Sequence, residues 1–184
     1  TYVRQVLLLE QPNWYTRADN TIDMCTLMEN FQQFYRQNIE SWTEVNEYKE
    51  AGPQLLLQAF LQRIVNGGGY IAREYGLGRR RTDILVTKPL LEGYAGIAGP
   101  KQYIVLELKI KRASTEQVIE EGLRQTAEYM NRCAHPCLRE VHLVICNMDK
   151  TITTNGERRA ITWDDKIFHE EHDFGGDYIH VWGM

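Results

Sequence analysis

The segment Gln102 to Lys111 constrains this chain more than any other. Its run Tyr103-Ile104-Val105-Leu106 is apolar without alternation, the pattern of a strand covered on both faces and therefore central in a sheet. The same strand continues into Glu107-Leu108-Lys109. Residues two apart on a strand share a face, so Glu107 and Lys109 project together while Leu106, Leu108 and Ile110 project to the other side. One face packs and the other carries charge, and charge in the middle of a sheet needs a reason.

The flanking patterns supply the layers that such a strand requires. Met24, Leu27, Met28, Phe31, Phe34 and Tyr35 recur at three- and four-residue spacing and predict a helix from near Asp23. Ser41-Trp42-Thr43-Glu44 reads as a capping box opening a short second helix. Pro53 suits the first turn of a third through Ile64, which Gly67-Gly68-Gly69 stops. From Tyr70 the period becomes two, giving a strand to Leu77, a tight turn, and a second strand from Arg81 to about Lys88. A Gly/Pro-rich loop leads to the central strand, Ser114-Thr115-Glu116-Gln117 opens a helix to about Arg132, and Val141 to Cys146 forms another apolar strand. Thr151 to Arg159 reads as polar and turn-rich, with short edge strands at Ala160–Trp163 and Tyr178–Trp182. The expected fold class is α/β: a mixed central β-sheet flanked by helices, in one domain, with a helical layer over residues 1–66 and an α/β core over 67–184.

Composition narrows the function. With 43% hydrophobic and 25% charged residues among 184, the chain is globular in character. Lys and Arg total 21 against 25 Asp and Glu, a net charge of −4, so any phosphate contact must come from a local basic patch. No apolar run approaches membrane-spanning length. Four cysteines are too few for a disulfide scaffold, which points to reduced thiols and a cytoplasmic setting.

If the hairpin loop is Gly78-Arg79 in a type II′ turn, Leu77 pairs with Arg80, and counting outward sets Glu74 opposite Asp83. Opposed side chains lie roughly 4.5–5.5 Å apart at Cβ, where like charges repel and a divalent cation between them would reverse the sign. Oxygen-only ligands suit Mg²⁺ or Mn²⁺; zinc is not the expected metal there. Glu-x-Lys alone means little, since Glu47-Tyr48-Lys49 matches it and Asp164-Asp165-Lys166 is related, but neither has a carboxylate-bearing hairpin upstream. Cys133-Ala134-His135-Pro136-Cys137 with His142 fits no standard zinc spacing. His169-Glu170-Glu171-His172 is not a metalloprotease motif, and its histidines are expected to be solvated beside a turn at Gly175-Gly176. No Walker-type phosphate loop occurs.

Taken together, Arg81-Thr82-Asp83, Glu107-Leu108-Lys109 and Gln125-Thr126-Ala127-Glu128-Tyr129 resemble the PD-(D/E)XK nuclease superfamily, the last matching the Q-x-x-x-Y motif of its RecB-like branch. Tyr48-Lys49-Glu50-Ala51, Ala59-Phe60-Leu61-Gln62-Arg63, Asn66-Gly67-Gly68-Gly69 and Arg73-Glu74-Tyr75 are similar to the nuclease-like domain C-terminal to AAA-type ATPase modules in prokaryotic proteins. That likeness runs from Asn30 to Met184. The resemblance implies a restriction-endonuclease-like core and Mg²⁺- or Mn²⁺-dependent cleavage of nucleic acid, DNA before RNA. It also implies an ATPase module in the same parent chain, with this segment as its C-terminal part. Asp83 and Glu107 would hold the metal with Glu74 as the upstream acid, and Lys109 would orient or activate the attacking water. Gln125 and Tyr129, four apart on one helix face, would reach the site or the nucleic-acid backbone. Thr82 stands where the superfamily has proline, which is not a ligand. Arg79, Arg80, Arg81 and Lys111 are candidate phosphate contacts, the alternative for the arginines being a solvated turn. The competing reading is a non-catalytic module of the same fold that binds nucleic acid or the ATPase, its acids neutralised by Lys109 and Arg81.

Overall fold

The apolar face beginning at Met24 forms helix α1 (Met24–Val45) because its positions find a sheet to cover: Met24, Leu27, Met28, Phe31 and Tyr35 are all buried. Asp23 caps it, its Oδ1 accepting the Thr26 backbone N–H at 3.1 Å. The computed structural model describes residues 14–45, 51–65, 69–77, 80–90, 99–111, 114–132, 139–154, 156–174 and 177–184. The capping pattern at Ser41–Glu44 starts no new helix, since α1 runs through it to Val45. No glycine or proline lies between Met24 and Ser41, so extending the helix gains a hydrogen bond per residue, whereas a cap must first break it. Helix α2 (Ala51–Val65) carries Pro53 in its first turn and buries Leu56, Leu57 and Leu61.

The hairpin of β1 (Tyr70–Leu77) and β2 (Arg80–Pro89) has the expected register, with Leu77 opposite Arg80. Strand β3 (Lys101–Ile110) runs antiparallel to β2. Helix α3 (Thr115–Arg132) then crosses over to β4 (Arg139–Cys146), parallel to β3. Thr151 to Arg159 is not merely a turn-rich stretch. It holds a separate two-stranded hairpin, β5 (Thr151–Thr154) and β6 (Glu157–Ala160), around Gly156, whose φ of 82° is left-handed. Ala160 therefore closes β6, and 161–163 form no strand.

The last two strands, β7 (Phe168–Phe174) and β8 (Asp177–Gly183), complete a six-stranded mixed sheet in the order β1-β2-β3-β4-β8-β7. Tyr178–Trp182 thus lies inside the sheet, between β4 and β7, and not at its edge. The edge is β7, which the sequence hides because an edge strand facing water need not alternate apolar with polar residues. The sheet is covered on both faces. Ile84, Val86, Ile104, Leu106, Val144, Cys146 and Trp182 pack under α1 and α2. Leu85, Val105, Leu143, Ile145 and Val181 pack on the other face, where α3 lays down Val118, Ile119 and Leu123. Among the described residues no helix is long and apolar enough to cross a membrane.

Two buried glutamines tie the α1 layer to the sheet. Gln102 of β3 accepts the Ile22 N–H at 2.7 Å and donates to the Ile22 carbonyl at 2.9 Å, while Gln32 of α1 donates to the Phe168 and Gly183 carbonyls at 2.9 and 2.8 Å. Replacing Gln102 by Leu would leave both Ile22 backbone groups buried and unsatisfied, at a cost of about 2–4 kcal/mol. Urea unfolding measures this directly, and a loss below about 0.5 kcal/mol would mean that the tie carries no weight.

Candidate active site

The β2–β3 ladder ends at the Ile84–Leu106 pair. One residue further along, the Asp83 carboxylate takes over from the main chain, its Oδ2 accepting the Leu108 N–H at 2.8 Å. On its other side β3 stays paired with β4 as far as Ile110–Cys146. The Glu107–Lys109 stretch is therefore held by backbone on one flank and by a side chain on the other. The alternation of β3 holds as expected: Leu106 is buried under α1 and α2, where Leu108 and Ile110 also pack, leaving Glu107 and Lys109 on the face of α3.

Gln125 reaches down from α3 and reads both charges. Its Nε2 donates to Glu107 Oε1, and its Oε1 accepts from Lys109 Nζ at 2.7 Å, while that ammonium stands 3.6 Å from Glu107 Oε1. Only one of the two amide orientations satisfies an acceptor and a donor in these places, so the pair fixes Gln125 as much as Gln125 fixes the pair. Glu107 is 3% exposed. Burial, reinforced by the Asp83 charge and opposed by Lys109 and the Asp83 backbone N–H, pushes its carboxyl up to about 7. Its second oxygen, Oε2, is buried with no hydrogen-bond partner.

That orphaned oxygen decides whether a hard cation suits the place. The donors are carboxylate oxygens, one of which lacks a proton donor, and the Asp83 charge opposes ionisation of Glu107; a divalent ion would relieve both of these penalties. The residues fit Mg²⁺ or Mn²⁺. Glu74 lies where the hairpin count put it, since the Arg73–Ile84 and Tyr75–Thr82 pairs flank Glu74 on one strand and Asp83 on the other. Tyr129 follows Gln125 by about one turn of α3. The side chains of Glu74 and Tyr129, and those of Arg80 and Arg81 at the start of β2, lie outside the described residues, as does Arg79 entirely. Lys111 is paired with Asp149 at 2.6 Å, a contact that sequence spacing does not suggest.

The rival Asp164-Asp165-Lys166 has another role. Asp165 accepts two bonds from Arg159 at 2.6 and 2.7 Å and further bonds from Thr162, which hold its carboxyl well below the usual range and brace a turn. Sequence reading missed a second group of ligand atoms. Cys25, His169 and His180 meet on the opposite face of the sheet, and they come from three elements that no spacing rule connects. Comparison with known proteins gives no family model that matches the chain and no curated protein that matches it.

Because the Glu107 carboxyl sits above its ordinary value in the fold, the native state holds a proton that the unfolded chain releases. Its contribution to stability is complete below about pH 4.5 and is lost as pH rises to about 7. In metal-free protein Glu107→Gln removes this dependence. The variant is expected to gain on the order of 1–3 kcal/mol relative to the parent between about pH 5 and about pH 8. Urea midpoints for both proteins at the two pH values test it; a difference independent of pH would contradict the burial of an ionisable Glu107.

Proposed function

We propose that this domain is a restriction-endonuclease-like, Mg²⁺-dependent nuclease that hydrolyses phosphodiester bonds of nucleic acid, DNA before RNA. The observation that carries the reading is the Glu107–Lys109–Gln125 arrangement: a buried acid with an unpartnered oxygen beside Asp83, and an ammonium held next to it by a glutamine on the overlying helix. Asp83 and Glu107, with Glu74 as the upstream acid, would hold Mg²⁺ or Mn²⁺. Bound there, the cation would supply Lewis-acid neutralisation of charge on a phosphodiester.

The remaining work falls to the chain's own groups. Lys109, kept off a full contact with Glu107 by the Gln125 amide, presents an N–H that can orient a water and stabilise negative charge on the phosphate. Gln125 is a positioning residue, and Tyr129 extends the same helix face. Arg79, Arg80 and Arg81 enter where β2 begins, at the end of the hairpin that carries Asp83, and would clamp the nucleic-acid backbone. Lys111 would join them by exchanging Asp149 for a phosphate. In this reading an ATPase module in the same parent chain delivers or moves the substrate, in the cytoplasm.

The test is Mg²⁺-dependent cleavage of DNA and RNA by the protein and by Lys109→Ala and Asp83→Asn at equal folded concentration. Each substitution is expected to lower the rate at least about 100-fold. Mg²⁺ is expected to raise the Tm of the parent and not of Asp83→Asn. Cleavage that survives both substitutions would refute the assignment. Absence of any metal-dependent cleavage or stabilisation would favour a non-catalytic module of the same fold.

A further inference from the structure

The face of the sheet opposite Glu107 gathers a different set of donors. His142, His180 and Glu171 occupy one register row across β4, β8 and β7, and His169 lies opposite Trp182 in the neighbouring row. Cys25 arrives from the first turn of α1. Around a single atom, His180 Nδ1, stand His169 Nε2 at 3.2 Å, Glu171 Oε1 at 3.5 Å and Cys25 Sγ at 3.7 Å, the sulfur being 3.9 Å from Nε2 of the same ring. A ring nitrogen makes one hydrogen bond, given or received, so one bond cannot account for three neighbours.

A cation can. Tetrahedral Zn²⁺, with bonds of about 2.0–2.1 Å to nitrogen and about 2.3 Å to sulfur, separates its ligand atoms by about 3.3 Å for two nitrogens and about 3.6 Å for nitrogen and sulfur. Two of the spacings found here, 3.2 Å between His169 and His180 and 3.7 Å between His180 and Cys25, are close to those values, and the ligand atoms of all three residues lie within 4.8 Å of one another. The His169 ring is braced for the part: it lies flat on Trp182, centroids 3.8 Å apart and planes 2° apart, and Trp182 Nε1 donates to the buried His142 at 3.0 Å.

We propose that Cys25, His169 and His180 form a zinc site that fastens the start of α1 to the β7–β8 edge of the sheet. One thiolate and two imidazoles are a donor set for zinc and not for magnesium. The site crosses most of the chain, linking residue 25 to residue 180, and so pins the N-terminal helical layer to the last hairpin. It is separate from the carboxylate cluster in face and in chemistry and does not depend on the nuclease reading.

Metal-free protein titrated with Co²⁺ tests the site, because tetrahedral cobalt bound to a thiolate gives visible ligand-field bands and a near-ultraviolet sulfur-to-cobalt charge-transfer band. The parent is expected to show both at one equivalent, to lose them on adding Zn²⁺, and to melt at higher temperature with Zn²⁺ bound. Cys25→Ser is expected to lose the charge-transfer band. His169→Gln, on the exposed edge strand, is expected to fold normally and to bind Zn²⁺ at least about 100-fold more weakly. No bands in the parent, a charge-transfer band unchanged in Cys25→Ser, or unaltered Zn²⁺ affinity in His169→Gln would each overturn the proposal. Bands that vanish in a Cys133→Ser, Cys137→Ser double variant and persist in Cys25→Ser would do the same.

Discussion

A carboxylate standing in for a strand governs the candidate site. Where β2 leaves β3, the Leu108 N–H would be an orphan donor inside a covered sheet, and Asp83 satisfies it with a side chain. That single bond fixes where the two strands part and brings a second negative charge up to Glu107. It thereby sets the electrostatic problem that the neighbouring groups answer. Lys109 answers part of it from the same face of β3 and Gln125 another part from α3, yet one oxygen of Glu107 remains buried and unpartnered.

The sheet divides the molecule's chemistry as well as its packing. On the α3 face the donors are hard oxygens with an ammonium beside them. On the α1 face they are sulfur and imidazole nitrogen with a stacked indole behind. Alternation along β3, β4 and β8 makes this division possible, because each strand sends successive side chains to opposite layers. The glutamines Gln32 and Gln102 then hold the helical layer at a fixed height over the second face, which is what brings Cys25 of α1 to the β7–β8 edge.

Local physics was legible in the sequence wherever it decided the outcome. Counting outward from a two-residue loop between Leu77 and Arg80 set the hairpin register, and two-residue periodicity sorted Glu107 and Lys109 from Leu106 and Leu108. Coverage of both faces followed from the unbroken apolar run in β3. What failed was nonlocal or lacked an apolar signature. Strand β7 is polar because it is an edge, β8 was misplaced because its partner β7 was unseen, and the Ser41–Glu44 cap was overridden by continued helix growth. The pairing of Lys111 with Asp149 and the meeting of Cys25 with His180 depend on chain crossings that only the assembled sheet creates.

The most direct test of the account is the anomalous scattering of crystals soaked in Mn²⁺. The expected result is a single strong peak against the carboxylates of Glu107 and Asp83 on the α3 face, absent from Asp83→Asn crystals grown in the same form. Crystals that take up Mn²⁺ elsewhere, or that hold a fully hydrogen-bonded Glu107 with no ion beside it, would contradict the claim that this strand junction is built to hold a cation.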